Sequence, residues 1–259
     1  MQLHFFKYQG TGNDFVILDG MTNEIKLSNE QVALLCDRKF GIGADGLMIL
    51  APSDHSDFKM VYYNSDGNQS TMCGNGGRCI AKFANQQGHV GSNIKFEAID
   101  GDHQAKILES GIVELEMIDV DAIEINDAVY VLDTGSPHYV KFSAIKEIDI
   151  VEFGRSIRYS EKYRKEGINV NLVTENEDCI SIKTYERGVE DETLSCGTGV
   201  TAAAISSVLK SGKLGEQKIS VKAVGGDLYV KLNRSGERTF DNIWLCGPAQ
   251  KVFEGNYDL

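Results

Sequence analysis

Two cysteines of this chain lie in nearly the same short passage, and each passage can place a reactive thiol at the start of a helix. Cys73 is followed by Gly-Asn-Gly-Gly and Cys196 by Gly-Thr-Gly, and a helix-forming run comes next in both cases. A helix N-terminus presents free backbone N–H groups and the positive end of its dipole, which stabilise anions and lower the pKa of a thiol. Two such helix ends could share one anionic substrate between two thiols.

The spacing of these cysteines favours acid–base chemistry over thiol–disulfide exchange. Exchange motifs usually separate their two cysteines by two residues, whereas Cys73 and Cys196 lie in different halves of the chain. A reversible disulfide between them, in a redox protein, stays open as an alternative. Cys36, Cys179 and Cys246 fall in apolar helix or strand patterns, and we expect them to be small buried hydrophobes.

The two cysteine passages belong to a longer internal repeat. A tyrosine-containing passage precedes each cysteine, at 63–67 and 185–188, and strand-like passages follow at 96–101 and 221–226. Residues 12–16 have a weaker echo in 169–173. An ordered series of matched landmarks predicts two homologous domains related by a pseudo-twofold axis, with their boundary near 119–121.

Many short strands and few helices must position the two thiols. The sequence predicts a helix at 28–38 with Ser28 as its N-cap, a short helix at 150–158, and two helices that follow the cysteines and end near 87 and 210. The run after Cys196 is apolar or small nearly all round, which is typical of a buried helix. We therefore expect each half to wrap its strands around a central helix.

Composition and charge exclude several classes of function. The net charge of −12 argues against nucleic-acid binding. The sequence has no long apolar run of the kind that spans a membrane and no secretory leader pattern, so a cytoplasmic protein is expected. The passage 41–46 matches G-x-G-x-x-G, but a predicted helix precedes it and a strand follows it, the reverse of a dinucleotide site. It is interpreted as a tight helix-to-strand turn near the site.

No metal site is predicted. The five histidines are scattered singly, and Cys73 and Cys79 lack the spacing of a zinc ligand pair. His138 follows the turn residues 135–137, and two interpretations remain open for it: a residue that lines the active-site cleft, or a structural histidine whose hydrogen bonds are satisfied.

Taken together, these motifs resemble those of the diaminopimelate epimerases, a family of cofactor-independent amino-acid epimerases. The resemblance runs almost end to end, and the paired cysteine motifs are its most specific part. It is carried by residues 7–15, 41–45, 63–67, 72–78, 137–138, 169–171, 185–188, 196–199 and 247–249.

The resemblance implies a mixed α/β (α+β) fold of two pseudo-symmetric domains, each a mainly antiparallel strand barrel around a central helix. It implies that the C-terminal stretch returns to the first domain. The predicted domains are residues 1–118 with 249–259, carrying Cys73, and residues 119–248, carrying Cys196. The resemblance also implies a cytoplasmic homodimer that needs neither a cofactor nor a metal and acts on a small molecule, diaminopimelate.

The resemblance further implies the roles of individual residues. Cys73 and Cys196 would be the catalytic acid and base, and Arg187 would bind the distal carboxylate of the substrate. The predicted substrate-binding residues are Asn13, Asn64, Gly74, Asn75, Asn169, Glu186, Arg187, Gly197 and Thr198.

The chain departs from the family pattern at two positions. Gly46 stands where many members have glutamine, and Ser136 stands before Pro137 where many have asparagine. One substrate contact at each position is expected to be lost, shortened or replaced. Alternatives to the epimerase are another two-cysteine racemase, such as one for proline or hydroxyproline, the two-thiol redox protein, and a non-catalytic amino-acid-binding module.

Overall fold

A computed structural model describes residues 2–143 and 148–259. The chain divides into two compact units. Unit 1 comprises Met1–Leu115 and Gly247–Leu259, and unit 2 comprises Glu116–Cys246.

The described residues form 17 strands and four helices. The strands are β1 (Gln2–Gly10), β2 (Asn13–Asp19), β3 (Gly46–Ala51), β4 (Phe58–Asn64), β5 (Asn93–Ala98), β6 (Gly101–Ile107), β7 (Val113–Glu116), β8 (Ile123–Asn126), β9 (Val129–Asp133), β10 (Pro137–Phe142), β11 (Asn169–Glu175), β12 (Ile180–Glu186), β13 (Asp191–Thr193), β14 (Gly215–Ala223), β15 (Gly226–Arg234), β16 (Phe240–Gly247) and β17 (Gln250–Asp258). The helices are α1 (Asn29–Cys36), α2 (Gly74–Gln86), α3 (Ile150–Arg158) and α4 (Gly197–Ser211).

The strands of each unit follow one another in the same pattern of directions. In unit 1 the order is β17-β1-β2-β3-β4-β5-β6-β7, with parallel pairs at β2–β3 and β4–β5 and antiparallel pairs elsewhere. In unit 2 the order is β8-β9-β10-β11-β12-β14-β15-β16, and the parallel pairs fall in the same places, at β10–β11 and β12–β14. The two units are therefore topologically equivalent, as the internal repeat predicts.

The helices occupy equivalent connections. The connection from β2 to β3 carries α1 and that from β10 to β11 carries α3, while α2 and α4 each precede the sixth strand in these orders, β5 and β14. The helix α2 packs against β1, β2, β3 and β6, and α4 packs against β10, β11, β12, β14 and β15. Each central helix is buried along most of its length, so the expected wrapping of strands around a helix is confirmed.

The register of the strands corrects one part of the sequence repeat. Phe15 pairs with Gly46 across β2 and β3, and His138 pairs with Asn169 across β10 and β11. Asn169 is therefore equivalent to Gly46, and the echo of residues 12–16 in 169–173 is wrong. A match of one asparagine and two or three apolar residues is too short to fix an equivalence, which is set by pairing between strands distant in sequence.

Local signals account for the two short helices. Ser28 caps α1, accepting a hydrogen bond from the backbone N–H of Gln31 while the Gln31 side chain accepts one from Ser28 N–H, which is a capping box. The helix α3 begins after Asp149, whose carboxylate accepts hydrogen bonds from the N–H groups of Val151 and Glu152. None of the helices in the part of the chain that the structure describes is long and apolar enough to cross a bilayer.

Candidate active site

Cys73 occupies the N-cap of α2, with extended backbone angles (φ −96°, ψ 131°). Its thiol lies 3.6 Å from Oδ1 of Asn13, the first residue of β2. The Asn13 amide nitrogen donates to Asp45 Oδ2 at 2.7 Å, and the Asn75 amide donates to Asn13 Oδ1 at 3.3 Å. Because a carboxylate only accepts hydrogen bonds, Asp45 fixes the Asn13 amide with its oxygen toward the cysteine.

Asp45 belongs to a cluster of four charged side chains that sequence reasoning did not assign to the site. Arg38 bridges Asp45 Oδ1 (2.7 Å) and both oxygens of Asp14, and buried Lys7 lies 2.8 Å from Asp14. Burial opposes ionisation of Asp14, but hydrogen bonds from Arg38 and Lys7 outweigh it and hold its pKa well below the usual range. The signal that could have identified this cluster is a lysine and an aspartate inside the apolar strands β1 and β2.

Cys196 occupies the equivalent N-cap of α4, again with extended backbone angles (φ −113°, ψ 113°). Its thiol lies 3.4 Å from Thr198 Oγ1, within its own first turn. That hydroxyl is 2.8 Å from Nε2 of His138, and Nδ1 of His138 is 3.0 Å from the Asn171 amide nitrogen. The polar contacts of this thiol thus continue inward to β10 and β11.

His138 is fully buried, and both of its ring nitrogens are hydrogen-bonded. Burial, assisted by the charge of Arg187, lowers the pKa of His138 to about 3. The imidazole is therefore neutral at physiological pH. Of the two interpretations left open by the sequence, the structure supports the satisfied buried histidine, but it places that histidine directly against Thr198.

A second polar cluster of unit 2 gathers Asn169, Arg187 and Ser136. Buried Asn169 donates to Ser136 Oγ at 2.8 Å and accepts from the backbone N–H of Arg187 at 2.8 Å. The guanidinium of Arg187 donates to the Glu166 carbonyl at 2.9 Å and to Ser136 Oγ at 3.5 Å. The Ser136 hydroxyl therefore lies between two of the predicted substrate-binding side chains.

Asn64 and Glu186 occupy equivalent positions at the ends of β4 and β12. Asn64 is exposed and pairs with Gly46 across β3 and β4. A Cβ at Gly46 would lie 2.7 Å from a ring carbon of Tyr62 and from the Tyr63 carbonyl oxygen. Tyr62 therefore fills the space that a side chain at position 46 would need, which is the physical reason for glycine there.

Three of the remaining cysteines, Cys36, Cys79 and Cys246, are buried, whereas Cys73 and Cys196 are half-buried. Burial raises the pKa of Cys36 to about 12 and that of Cys79 to about 12, so both thiols stay protonated. Cys246 is buried in β16, as predicted. Cys179 is half-buried rather than buried, because it lies in the turn before β12, where its sulfur accepts a hydrogen bond from Asn176.

Solved structures first define the class of fold. A phenazine biosynthesis protein of the PhzF family from Bacillus anthracis matches the whole of both chains with a TM-score of 0.78 at 12% identity. A hydroxyproline epimerase from Agrobacterium vitis matches with a TM-score of 0.71 at 14% identity, over 98% of this chain and 92% of that one. At such identities these matches define the two-domain fold alone.

Sequence comparisons then give the family. The diaminopimelate epimerase family model matches residues 5–121 and 130–252. The diaminopimelate epimerase of Flavobacterium psychrophilum is 48% identical over 97% of this chain and 99% of its own length. That of Chlorobaculum tepidum is 39% identical over 96% and 99%, respectively. The chain belongs to the diaminopimelate epimerase family.

Proposed function

We propose that this protein converts LL-diaminopimelate to meso-diaminopimelate without pyridoxal phosphate, with Cys73 and Cys196 as its acid–base pair. One observation carries the proposal: in a member of this family, two half-buried thiols occupy the N-caps of two topologically equivalent helices. The reaction supplies a precursor for lysine and for the peptidoglycan cross-link.

Inversion of a carbon stereocentre by proton transfer requires a base on one face of that carbon and an acid on the other. In each turnover one cysteine acts as a thiolate and removes the α-proton, while the other acts as a thiol and delivers a proton to the opposite face. The breaking C–H bond leaves its electron pair on the substrate, and the new C–H bond uses that pair. The roles of Cys73 and Cys196 exchange with the direction of reaction.

Charge develops on the substrate carboxylate as the α-proton leaves, because the carbanion is delocalised into it. The backbone N–H groups of Gly74, Asn75, Gly197 and Thr198 lie in the first turns of α2 and α4 and can stabilise this charge, together with the two helix dipoles. Loss of one preorganised donor of this type typically reduces kcat about 100- to 1,000-fold.

Recognition of the remaining substrate groups falls to polar side chains at the ends of β2, β4, β11 and β12. Asn13, Asn64, Asn169 and Glu186 bind amino and carboxylate groups, and Glu186 can accept from an ammonium. Arg187 binds the distal carboxylate, since a guanidinium can bind a carboxylate through two parallel hydrogen bonds. Proline and hydroxyproline have no second carboxylate for Arg187, which favours diaminopimelate over those substrates. We further propose that the protein is a homodimer and that it is located in the cytoplasm.

Isotope exchange tests the proposal directly. Reduced protein is incubated in deuterated water with LL-diaminopimelate and, separately, with trans-4-hydroxy-L-proline, with no added pyridoxal phosphate. NMR and chiral chromatography then measure deuterium at the α-carbon and the stereochemistry. We expect deuterium at the inverted centre of meso-diaminopimelate and no reaction of hydroxyproline. Absence of exchange and of inversion with diaminopimelate, with thiols confirmed free, would refute the epimerase proposal.

Single variants separate an epimerase from a binding module or a redox protein. Cys73→Ala and Cys196→Ala each leave one of the two proposed catalytic thiols, so each should lose inversion while retaining substrate binding. The remaining thiol can still exchange the α-proton on its own face, and the two variants should therefore exchange opposite stereoisomers. Cys179→Ala, which changes another half-buried cysteine of unit 2, is the matched control and should keep full activity. Unchanged inversion in either active-site variant would exclude the two-base mechanism.

A further inference from the structure

The two proposed catalytic thiols share a backbone setting but contact side chains of opposite polarity. Each cysteine is an N-cap with extended angles, and each carbonyl accepts the first helical hydrogen bond, from Gly77 N–H at 2.7 Å and from Val200 N–H at 2.9 Å. Because the helix ends match, the dipole stabilises a thiolate at both positions. The side-chain oxygen beside each sulfur differs.

The oxygen beside Cys73 is an acceptor. Asp45 holds the amide nitrogen of Asn13, and the amide nitrogen of Asn75 is directed at Asn13 Oδ1 because Arg78 holds Asn75 Oδ1 at 3.0 Å. Since a carboxylate only accepts and a guanidinium only donates, both amide orientations are fixed. Asn13 Oδ1 lies 3.6 Å from Cys73 Sγ and can only accept a hydrogen bond. This contact therefore favours the protonated thiol of Cys73, which has a proton to donate.

The oxygen beside Cys196 belongs to a hydroxyl, which can donate a hydrogen bond as well as accept one. The amide nitrogen of Asn171 lies 3.3 Å from the Tyr139 carbonyl, which only accepts, so this nitrogen also donates to Nδ1 of His138. A neutral imidazole then carries its single proton on Nε2 and donates it to Thr198 Oγ1. Having accepted there, the Thr198 hydroxyl has its own proton available to donate to Cys196 Sγ, which lies 3.4 Å away.

The positions in unit 1 equivalent to His138 and Asn171 are apolar. Equivalence of Gly46 and Asn169 makes Phe15 the counterpart of His138, and Met48 that of Asn171. In each unit these two side chains lie beside the third residue of the central helix, Gly76 in α2 and Gly199 in α4. A Cβ at Gly76 would be 3.3 Å from Met48 and 3.5 Å from Phe15. At Gly199 it would be 2.6 Å from Asn171 and 3.3 Å from His138. An apolar lining disfavours a thiolate, and a hydrogen-bonded polar lining favours one.

Charged groups also lie behind these contacts. The Arg78 guanidinium donates to the Gly74 carbonyl and to Asn75, and the Asn75 amide donates to the Asn13 oxygen that faces Cys73. Asp45, behind Asn13, is opposite in charge and is paired with Arg38, and Cys79 is a protonated buried thiol. On the Cys196 side, the charge of Arg187 helps to lower the pKa of His138, and His138 is neutral.

We propose that the resting protein carries the thiolate at Cys196 and the thiol at Cys73, and that His138 is a positioning residue that holds the Thr198 hydroxyl toward Cys196. The proton lost by Cys196 passes to solvent. The catalytic meaning of this assignment rests on the proposed function, because it makes Cys196 the base that a substrate first meets. The protonation pattern itself concerns the free protein.

Alkylation of the free protein tests the assignment without any turnover. Iodoacetamide reacts with thiolates, and peptide mass spectrometry gives the rate at Cys73 and at Cys196 as a function of pH. The titration of each thiol is measured in the variant that lacks the other, Cys196→Ala or Cys73→Ala, because coupled thiols titrate as a pair. We expect the midpoint for Cys196 to lie at least about one pH unit below that for Cys73. A lower midpoint for Cys73, or equal midpoints, would overturn the assignment.

Variants of the relay give the second test. Thr198→Val removes the donor and should raise the Cys196 midpoint by about one pH unit or more, whereas Thr198→Ser should restore it and neither should move the Cys73 midpoint. His138→Phe places the unit 1 side chain in unit 2 and should raise the Cys196 midpoint without changing that of Cys73. If His138→Phe does not fold, the Thr198 pair still decides. An unshifted Cys196 midpoint in Thr198→Val would refute the relay, and loss of epimerase activity would leave these readouts intact.

Discussion

The third residue of α4 is the position at which a single methyl group should do most harm. A Cβ at Gly199 would lie 2.6 Å from Asn171 Oδ1, whereas carbon and oxygen normally approach no closer than about 3.3 Å. In Gly199→Ala the Asn171 amide must therefore move by about 0.7 Å. It would thereby lose hydrogen bonds to the Tyr139 carbonyl and to His138 Nδ1.

The expected loss in the free energy of unfolding follows from these two hydrogen bonds. Each buried hydrogen bond contributes about 1.5 kcal/mol to stability, and replacing a helical glycine by alanine stabilises the helix by about 1 kcal/mol. The free energy of unfolding of unit 2 should fall by about 2 kcal/mol in Gly199→Ala. Gly76→Ala is the matched control, since it makes the same change at the equivalent position of α2. There the new methyl meets the flexible ends of Met48 and Met60 at 3.3 and 3.5 Å.

Urea unfolding measures the difference between these variants. Fluorescence of Trp244, the single tryptophan of the chain, reports on unit 2, and circular dichroism reports on both units. Gly76→Ala should be neutral or stabilising by up to about 1 kcal/mol. If Gly199→Ala is as stable as Gly76→Ala, the close approach of Asn171 to α4 is not a constraint, and the reasoning fails.

Three further predictions follow from contacts described above. Ser28→Ala removes the N-cap of α1 and should cost about 1 kcal/mol in thermal unfolding, with Ser28→Asp as the neutral control. Asp45→Ala frees the Asn13 amide and should lower kcat/KM about 10- to 100-fold while the melting temperature barely changes, because Asp45 is largely exposed; unchanged kinetics would count against this positioning role. Since the pKa of His138 is lowered from about 6.5 to about 3 by burial, the unfolded chain binds a proton that the folded one does not. The free energy of unfolding should then fall by about 1.4 kcal/mol per pH unit below pH 6.5 in the wild type, and this slope should be absent in His138→Gln.

Elements set by local signals could be predicted from the sequence. Ser28 followed by Gln31 specifies the start of α1, and the glycines after Cys73 and Cys196 mark the starts of α2 and α4. The paired cysteine passages likewise predicted two equivalent units, because a repeat is visible without knowing which strands pair.

The partners of the site residues could not be predicted, because they depend on register between distant strands. Asn13 meets Asp45 because β2 and β3 are parallel neighbours in which Phe15 pairs with Gly46, and this register brings the start of β2 beside the residue that precedes β3. For the same reason His138 faces Thr198 across 60 residues of sequence. A shift of one residue in either sheet would send these side chains to the opposite face, and no single-sequence pattern fixes that shift.

The pairing of β17 with β1 has a consequence for how the chain is made. This pairing joins Gln2 to Asp258, which are 256 positions apart in the sequence. During synthesis, β17 leaves the ribosome after every other described strand. Unit 2, which is continuous in sequence, can fold while the chain is still growing, whereas unit 1 waits with one edge of β1 unpaired. An unpaired strand edge is a template for aggregation. Nascent chains halted before residue 250 should therefore depend on chaperones that bind exposed strands. Unit 1, whose synthesis begins first, should complete its folding after unit 2.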